Sequence, residues 1–164
     1  MQKRWLLVLV LSGCPTPDDC FEDLPIVEIG TGDDAFEPLE DGAPLTMVHG
    51  PQGGWHLLVS SRVSHTTESV DIGLTVTDVP SSVEVSKGLY EVFLGVEDEC
   101  IGTFSGMYAF LGVAGLAEGQ LNTPPELLAG HELLVEMAIE DSEGRATEAG
   151  KTVIAALDPM DVPD

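Results

Sequence analysis

Basic residues are what this chain has least of: six Lys and Arg stand against 29 Asp and Glu in 164 residues, a formal net charge of −23 at pH 7. Such a field repels phosphate backbones and anionic headgroups, which excludes nucleic acid as a partner. Aromatic residues make up only 5% of the chain, so a core has to be built from aliphatic side chains. Long hydrophobic runs are missing too. The longest uninterrupted one, Trp5 to Leu11, has seven residues, far short of the roughly 20 that cross a bilayer as a helix. Absent as well are His-x-x-x-His and Cys-x-x-Cys spacings, a Gly-x-Ser-x-Gly elbow and a D-x-[DN]-x-[DN]-G loop. Zinc sites, esterase nucleophiles and EF-hands therefore have no local signature here.

What is present begins at the N-terminus. Lys3 and Arg4 precede the apolar run, and Leu11-Ser12-Gly13-Cys14 closes it with small residues and a cysteine. This is signal-peptide anatomy over residues 1–13. The last four residues resemble the lipobox of bacterial lipoproteins. The resemblance implies that the Cys14 thiol receives a diacylglycerol and becomes residue one of a chain anchored in a bacterial cell envelope. Two or three acyl chains hold essentially permanently where one holds reversibly. Pro15 stands where the best-known sorting rule places an inner-membrane aspartate, which favours the outer membrane. The plainer alternative is a secreted protein cut nearby, with Cys14 free or paired. Cleavage removes Lys3 and Arg4 and no acid, leaving four basic residues against 29 acids, a formal −25.

With Cys14 assigned to lipid, Cys20 and Cys100 remain, and in an oxidising compartment they are most simply one disulfide. Two free thiols are the alternative. From residue 14 to 43 the chain reads as a tether: Pro15, Pro17, Pro25 and Pro38 interrupt it and ten acids fall between Asp18 and Asp41. Such a composition buries little. Leu24 to Ile29 is the exception, short enough for an edge strand. A single domain is expected over 44–158, followed by a tail at 159–164.

Within that domain apolar residues alternate with a period of two. Trp55, Leu57, Val59 and Val63 share a face, with His56, Ser60 and Arg62 on the other. Val70, Ile72, Leu74 and Val76 form a second stripe, and Leu133, Val135, Met137 and Ile139 a third. Less regular runs at Leu89–Val96 and Met107–Val113 read as strands buried on both faces, and Thr152–Leu157 as a last strand. Trp55 is expected as a core anchor, with sugar stacking as the minority role. Met107 to Leu111 is expected inside; an exposed apolar patch there would mark a partner interface. Asp141-Ser142-Glu143-Gly144 predicts a type I turn with a left-handed glycine closing a hairpin, and Glu126 to Ala129 one helical turn. Seven or eight strands at spacings near ten residues predict an all-β, antiparallel, immunoglobulin-like β-sandwich.

Leu127-Leu128-Ala129-Gly130-His131-Glu132-Leu133 resembles the late-strand corner of fibronectin type III and related immunoglobulin-like domains. A tyrosine commonly occupies the third position after the glycine in those families, and here it is Leu133. The resemblance carries architecture and no binding residue.

Acid clusters offer a metal reading. Glu97, Asp98 and Glu99 are the best local calcium ligands because the neighbouring disulfide would hold their loop, although calcium wants six to eight oxygens; otherwise no cofactor is expected. His49, His56, His65 and His131 read as surface or hydrogen-bonded histidines. Strand alternation sends Ser60 and Ser61 to opposite faces, away from a shared role with His65. These residues together predict a non-catalytic binding or structural module with an envelope protein or glycan as partner. The alternatives are an envelope-tethered hydrolase with paired carboxylates and a calcium-binding adhesion module.

Overall fold

Period-two alternation becomes strands over most of the chain in a computed structural model, which describes residues 20–50, 53–116 and 123–159. In order these are β1 (Ile26–Thr31), β2 (Glu37–Pro38), β3 (Ala43–His49), β4 (Trp55–Ser64), β5 (Ser69–Asp78), β6 (Val83–Phe93), β7 (Gly95–Asp98), β8 (Ile101–Leu111), the helical turn α1 (Pro124–Leu128), β9 (Glu132–Asp141) and β10 (Ala146–Leu157). The signal peptide, Cys14 and residues 160–164 lie outside the described residues.

Hydrogen bonding runs β2–β1–β4–β3–β10–β9–β5–β6, with β8 on β4 and β7 on β8. β3 is the link between two groups of strands. Its Val48 and His49 pair antiparallel with β4, while Ala43 to Met47 pair parallel with β10. The result is a curled mixed sheet, which corrects the expectation of a purely antiparallel sandwich. Alternation reports which face of a strand is buried and carries no information on the direction of its neighbour.

Three predicted stripes meet in one core. Ile72 lies opposite Ile139, Leu74 opposite Met137 and Val76 opposite Val135 across β5 and β9, and Leu57, Val59 and Val63 from β4 join the same cluster. Each of these side chains is essentially inaccessible to water, a burial worth about 1.5–3 kcal/mol apiece.

Several expectations are corrected. The segment assigned to a tether up to residue 43 contributes β1 and β2, and buries Val27, Ile29 and Leu39. β1 pairs with β4 from Ile26 to Gly30, and β2 covers only Gly30 and Thr31 on its other side, so Ile26 to Ile29 form the expected sheet edge. Its acids mislead because Glu28 projects outward between inward-facing Val27 and Ile29. Leu89–Val96 is not buried on both faces: Leu89, Phe93 and Val96 are exposed, while Val92 and Leu94 point in. Met107–Val113 likewise alternates, with Met107, Ala109 and Leu111 buried and Tyr108 and Phe110 exposed. Among the described residues ten strands replace seven or eight, the additions coming chiefly from the N-terminal segment and from a break at Leu94.

Turn chemistry follows the expected form. Gly144 has φ 77, its amide donates to Asp141 O at 2.9 Å, and the Asp141 amide donates to Arg145 O at 3.0 Å, closing β9 onto β10. At the α1–β9 corner, where the tyrosine is absent, Gly130 donates to Ala155 O at 2.8 Å and Ala155 donates back to His131 O at 2.9 Å.

Candidate functional site

The exposed rings of β8 mark the site. In the β4–β8 register His56 faces Phe110 and Leu58 faces Tyr108, so these four side chains share the outer face of the pair. The His56 ring meets Tyr108 edge-on, centroids 4.6 Å apart, and lies 5.9 Å from Phe110. Tyr108 and Phe110 are 5.9 Å apart with planes inclined by 37°. Around them opens a hollow of about 430 Å³, walled by His49, Gly50 and Gly53 of the β3–β4 turn and by Asp33.

Alternation put His56 on the outer face, and there it is; what the sequence conceals is that this face is covered. His56 is only 5% exposed, roofed by the two aromatic rings and by Gly50, where a methyl group would lie 3.6 Å from Nδ1. Nδ1 has no hydrogen-bond partner. Burial pushes the His56 pKa down from 6.5, so the ring is neutral at neutral pH. A buried nitrogen without a partner is costly, and such groups persist where a site needs them.

Asp33 owes its place to a β-bulge. Register shifts between Val59 and Ser61, and Gly106 on β8 takes φ 74, a conformation glycine adopts without strain. Its amide donates to Gly32 O at 3.2 Å and approaches Ser60 Oγ at 3.3 Å, while Ser60 Oγ donates to Gly32 O at 2.8 Å. Thr31 Oγ1 donates to Leu58 O at 2.9 Å. The segment before Asp33 is thus fastened across β4 and β8, setting the carboxylate at the rim. On the other flank, Tyr90 Oη donates to Tyr108 O at 2.6 Å and ties β6 to β8.

Other predicted residues are placed elsewhere. Trp55 is half-buried and packs against the core cluster rather than within it. It opens β4, where the strand emerges from the core, and its ring lies 4.8 Å from that of His49 with the planes inclined by 54°. The core anchors are instead aliphatic side chains and methionines. Cys20 and Cys100 are disulfide-bonded, Cα atoms 5.1 Å apart. His65 supports that junction: its amide donates to Cys100 O at 3.0 Å and its Nδ1 lies 3.2 Å from Cys20 O.

The calcium expectation for Glu97, Asp98 and Glu99 meets no convergent geometry. Glu97 is engaged by Arg62, whose Nε and Nη2 donate to it at 2.9 and 2.7 Å. That pairing holds the Glu97 carboxyl below its usual range. Asp98 Oδ1 accepts from the Glu99 amide at 2.8 Å. Among the described residues no three of His, Cys, Asp and Glu are grouped to hold a metal ion. Ser60 is spent on Gly32, and Ser61 is fully buried with its hydroxyl unpartnered.

No protein-family model matches the chain, and no curated protein does. Among solved structures, it is similar to the CooA pilin subunit of enterotoxigenic Escherichia coli, at 14% identity and a TM-score of 0.40, over 81% of this chain and 99% of that one.

Position i, i+2 on one strand made Tyr108 and Phe110 visible in the sequence as a same-face pair. Nothing local showed that His56 and Asp33, 52 and 75 residues before Tyr108, would join them.

Proposed function

We propose that this chain is a lipid-anchored protein of the bacterial cell envelope whose β-domain acts as a non-catalytic binding module, with the Tyr108–Phe110 hollow as its binding surface. One observation carries the reading: two exposed aromatic side chains, Tyr108 and Phe110, lie 5.9 Å apart against a buried histidine, neutral at neutral pH, whose Nδ1 has no partner. Exposed aromatics are costly to leave in water and are the side chains that contribute most when a partner covers them.

Geometry suits a tethered display. Five residues lie between Cys14 and Cys20, so the two are at most about 22 Å apart. β4 runs from the disulfide end, at Ser64 beside Ile101, to the hollow at Trp55 and His56. Ten residues of strand span about 30 Å, so a lipid at Cys14 would leave the hollow pointing away from the membrane.

A hydrolase reading fits less well. The hollow holds one carboxylate, Asp33, whereas glycoside cleavage pairs two. Asp71, Glu140 and Glu148 line a second, shallow hollow over Gly73 and Ala138, but all three are exposed.

The test is retention of envelope extract by the full chain and by its Phe110→Ser variant. A component held by the first and lost by the second is the expected result. Equal retention, or turnover of a chromogenic glycoside, overturns the reading.

A further inference from the structure

Twice in this protein a guanidinium sits over an aromatic ring with a carboxylate beside it. Arg62 Cζ lies 4.6 Å from the Phe36 ring centroid while pairing with Glu97 and Glu28. Arg145 Cζ lies 4.6 Å from that of Phe21 while pairing with Asp141. The hollow on β4 and β8 brings together the same residue types, the exposed rings of Tyr108 and Phe110 with Asp33 in its wall, and among the described residues no basic side chain is paired with Asp33.

We infer that the hollow receives a cationic side chain, the guanidinium or ammonium group of an arginine or lysine on a basic segment of a protein partner. This rests on the reading of the hollow as a binding surface and names the chemistry of its occupant. Ring faces carry the negative end of the quadrupole and attract cations, most strongly where water is excluded. No Lys or Arg lines the hollow, and His56, its pKa lowered by burial, adds no positive charge at neutral pH. The whole-chain charge of −23 draws basic segments toward the surface and keeps acidic ones away. Phosphate and carboxylate ligands find no Lys or Arg in the lining of the hollow.

The experiment titrates the full-length protein in detergent, at about 150 mM salt to screen distant charges. One probe is the blocked peptide Gly-Arg-Gly-Arg-Gly; the other is the same peptide with citrulline, a neutral isostere, replacing both arginines. The readout is the shift of the Tyr108 and His56 ring resonances. The arginine peptide is expected to bind at least about tenfold tighter, and Phe110→Ala and Asp33→Asn each to lose most of that preference. Phe110 is 64% exposed, so its truncation leaves the core intact. Equal binding of the two peptides overturns the inference. So does a Phe110→Ala variant that binds the arginine peptide like the parent, because diffuse charge then explains the contact. If a neutral oligosaccharide moves the Tyr108 ring and the arginine peptide does not, the cationic occupant is wrong while the binding surface stands. If no probe and no envelope component depends on Phe110, both readings fall.

Discussion

His131 Nδ1 lies 2.8 Å from Asp78 Oδ1, joining the last residue of β5 to the residue that precedes β9. Asp78 is 1% exposed and also accepts from the Ser81 amide at 3.1 Å and from the Ser81 hydroxyl. This cluster, rather than a tyrosine, secures the corner between the two strands.

Acid should unfold the protein through this cluster. Burial works to raise the Asp78 carboxyl, yet the bonds from Ser81 and His131 outweigh it and hold the pKa below 3.8. A depressed carboxylate contributes stability that is fully present above its unfolded value and is lost as pH falls through the folded one. Thermal melting should therefore be insensitive to this group from pH 7 to 5 and decline below about 4. Asp78→Asn should melt lower at pH 7 and flatten the acid limb; an unchanged limb refutes the assignment.

Asp141 closes the β9–β10 hairpin. Its carboxylate accepts from the amides of Thr67, Glu143 and Arg145 and from Arg145 Nε and Nη2, at 2.7 to 3.3 Å. Asp141→Ala leaves buried donors and the Arg145 charge unpaired, at a cost of about 3 kcal/mol. Urea midpoints of parent and variant measure it, with an unchanged slope showing that only stability has moved.

Reduction of the Cys20–Cys100 bond, which spans 80 residues, should cost up to about 4 kcal/mol in the chain-entropy account. Melting with and without a thiol reductant reads this directly. Since β1 pairs with β4 through five residues, the sheet should survive at room temperature, as far-ultraviolet circular dichroism would report.

Gly106→Ala tests the bulge that places Asp33. A Cβ there would lie 2.9 Å from the Asp33 carbonyl oxygen, at a φ of +74. Strain and displacement together should destabilise by about 2 kcal/mol. Binding at the hollow should weaken alongside, because Asp33 is carried by the displaced segment. A variant as stable as the parent would show that the segment is held by other contacts.

Cys14→Ser tests the proposed anchor. The variant should move from the membrane pellet to the soluble fraction and lose incorporation of a labelled fatty acid. Continued membrane association would show that another part of the chain holds it.

Strands with one face in water were legible because their chemistry is local. Val70 to Val76 and Leu133 to Ile139 alternate in sequence and are buried in alternation, as the pleat requires. The hairpin at Gly144 was legible because a left-handed residue favours glycine. Leu89 and Phe93 misled because an apolar residue looks alike in a core and on an exposed strand. The acids before residue 43 misled because composition averages over the two faces of β1.

The sequence by itself determined the acidic field and which side chains of most strands turn inward. These follow from counts and from a two-residue period. Only the tertiary structure decided that β3 runs parallel to β10, that Trp55 stands at the edge of the core, and that Glu97 is taken by Arg62. It alone brought Asp33, His56 and Tyr108 around one hollow. Partner choice between strands and convergence of distant residues depend on long-range packing, which alternation along a chain does not encode.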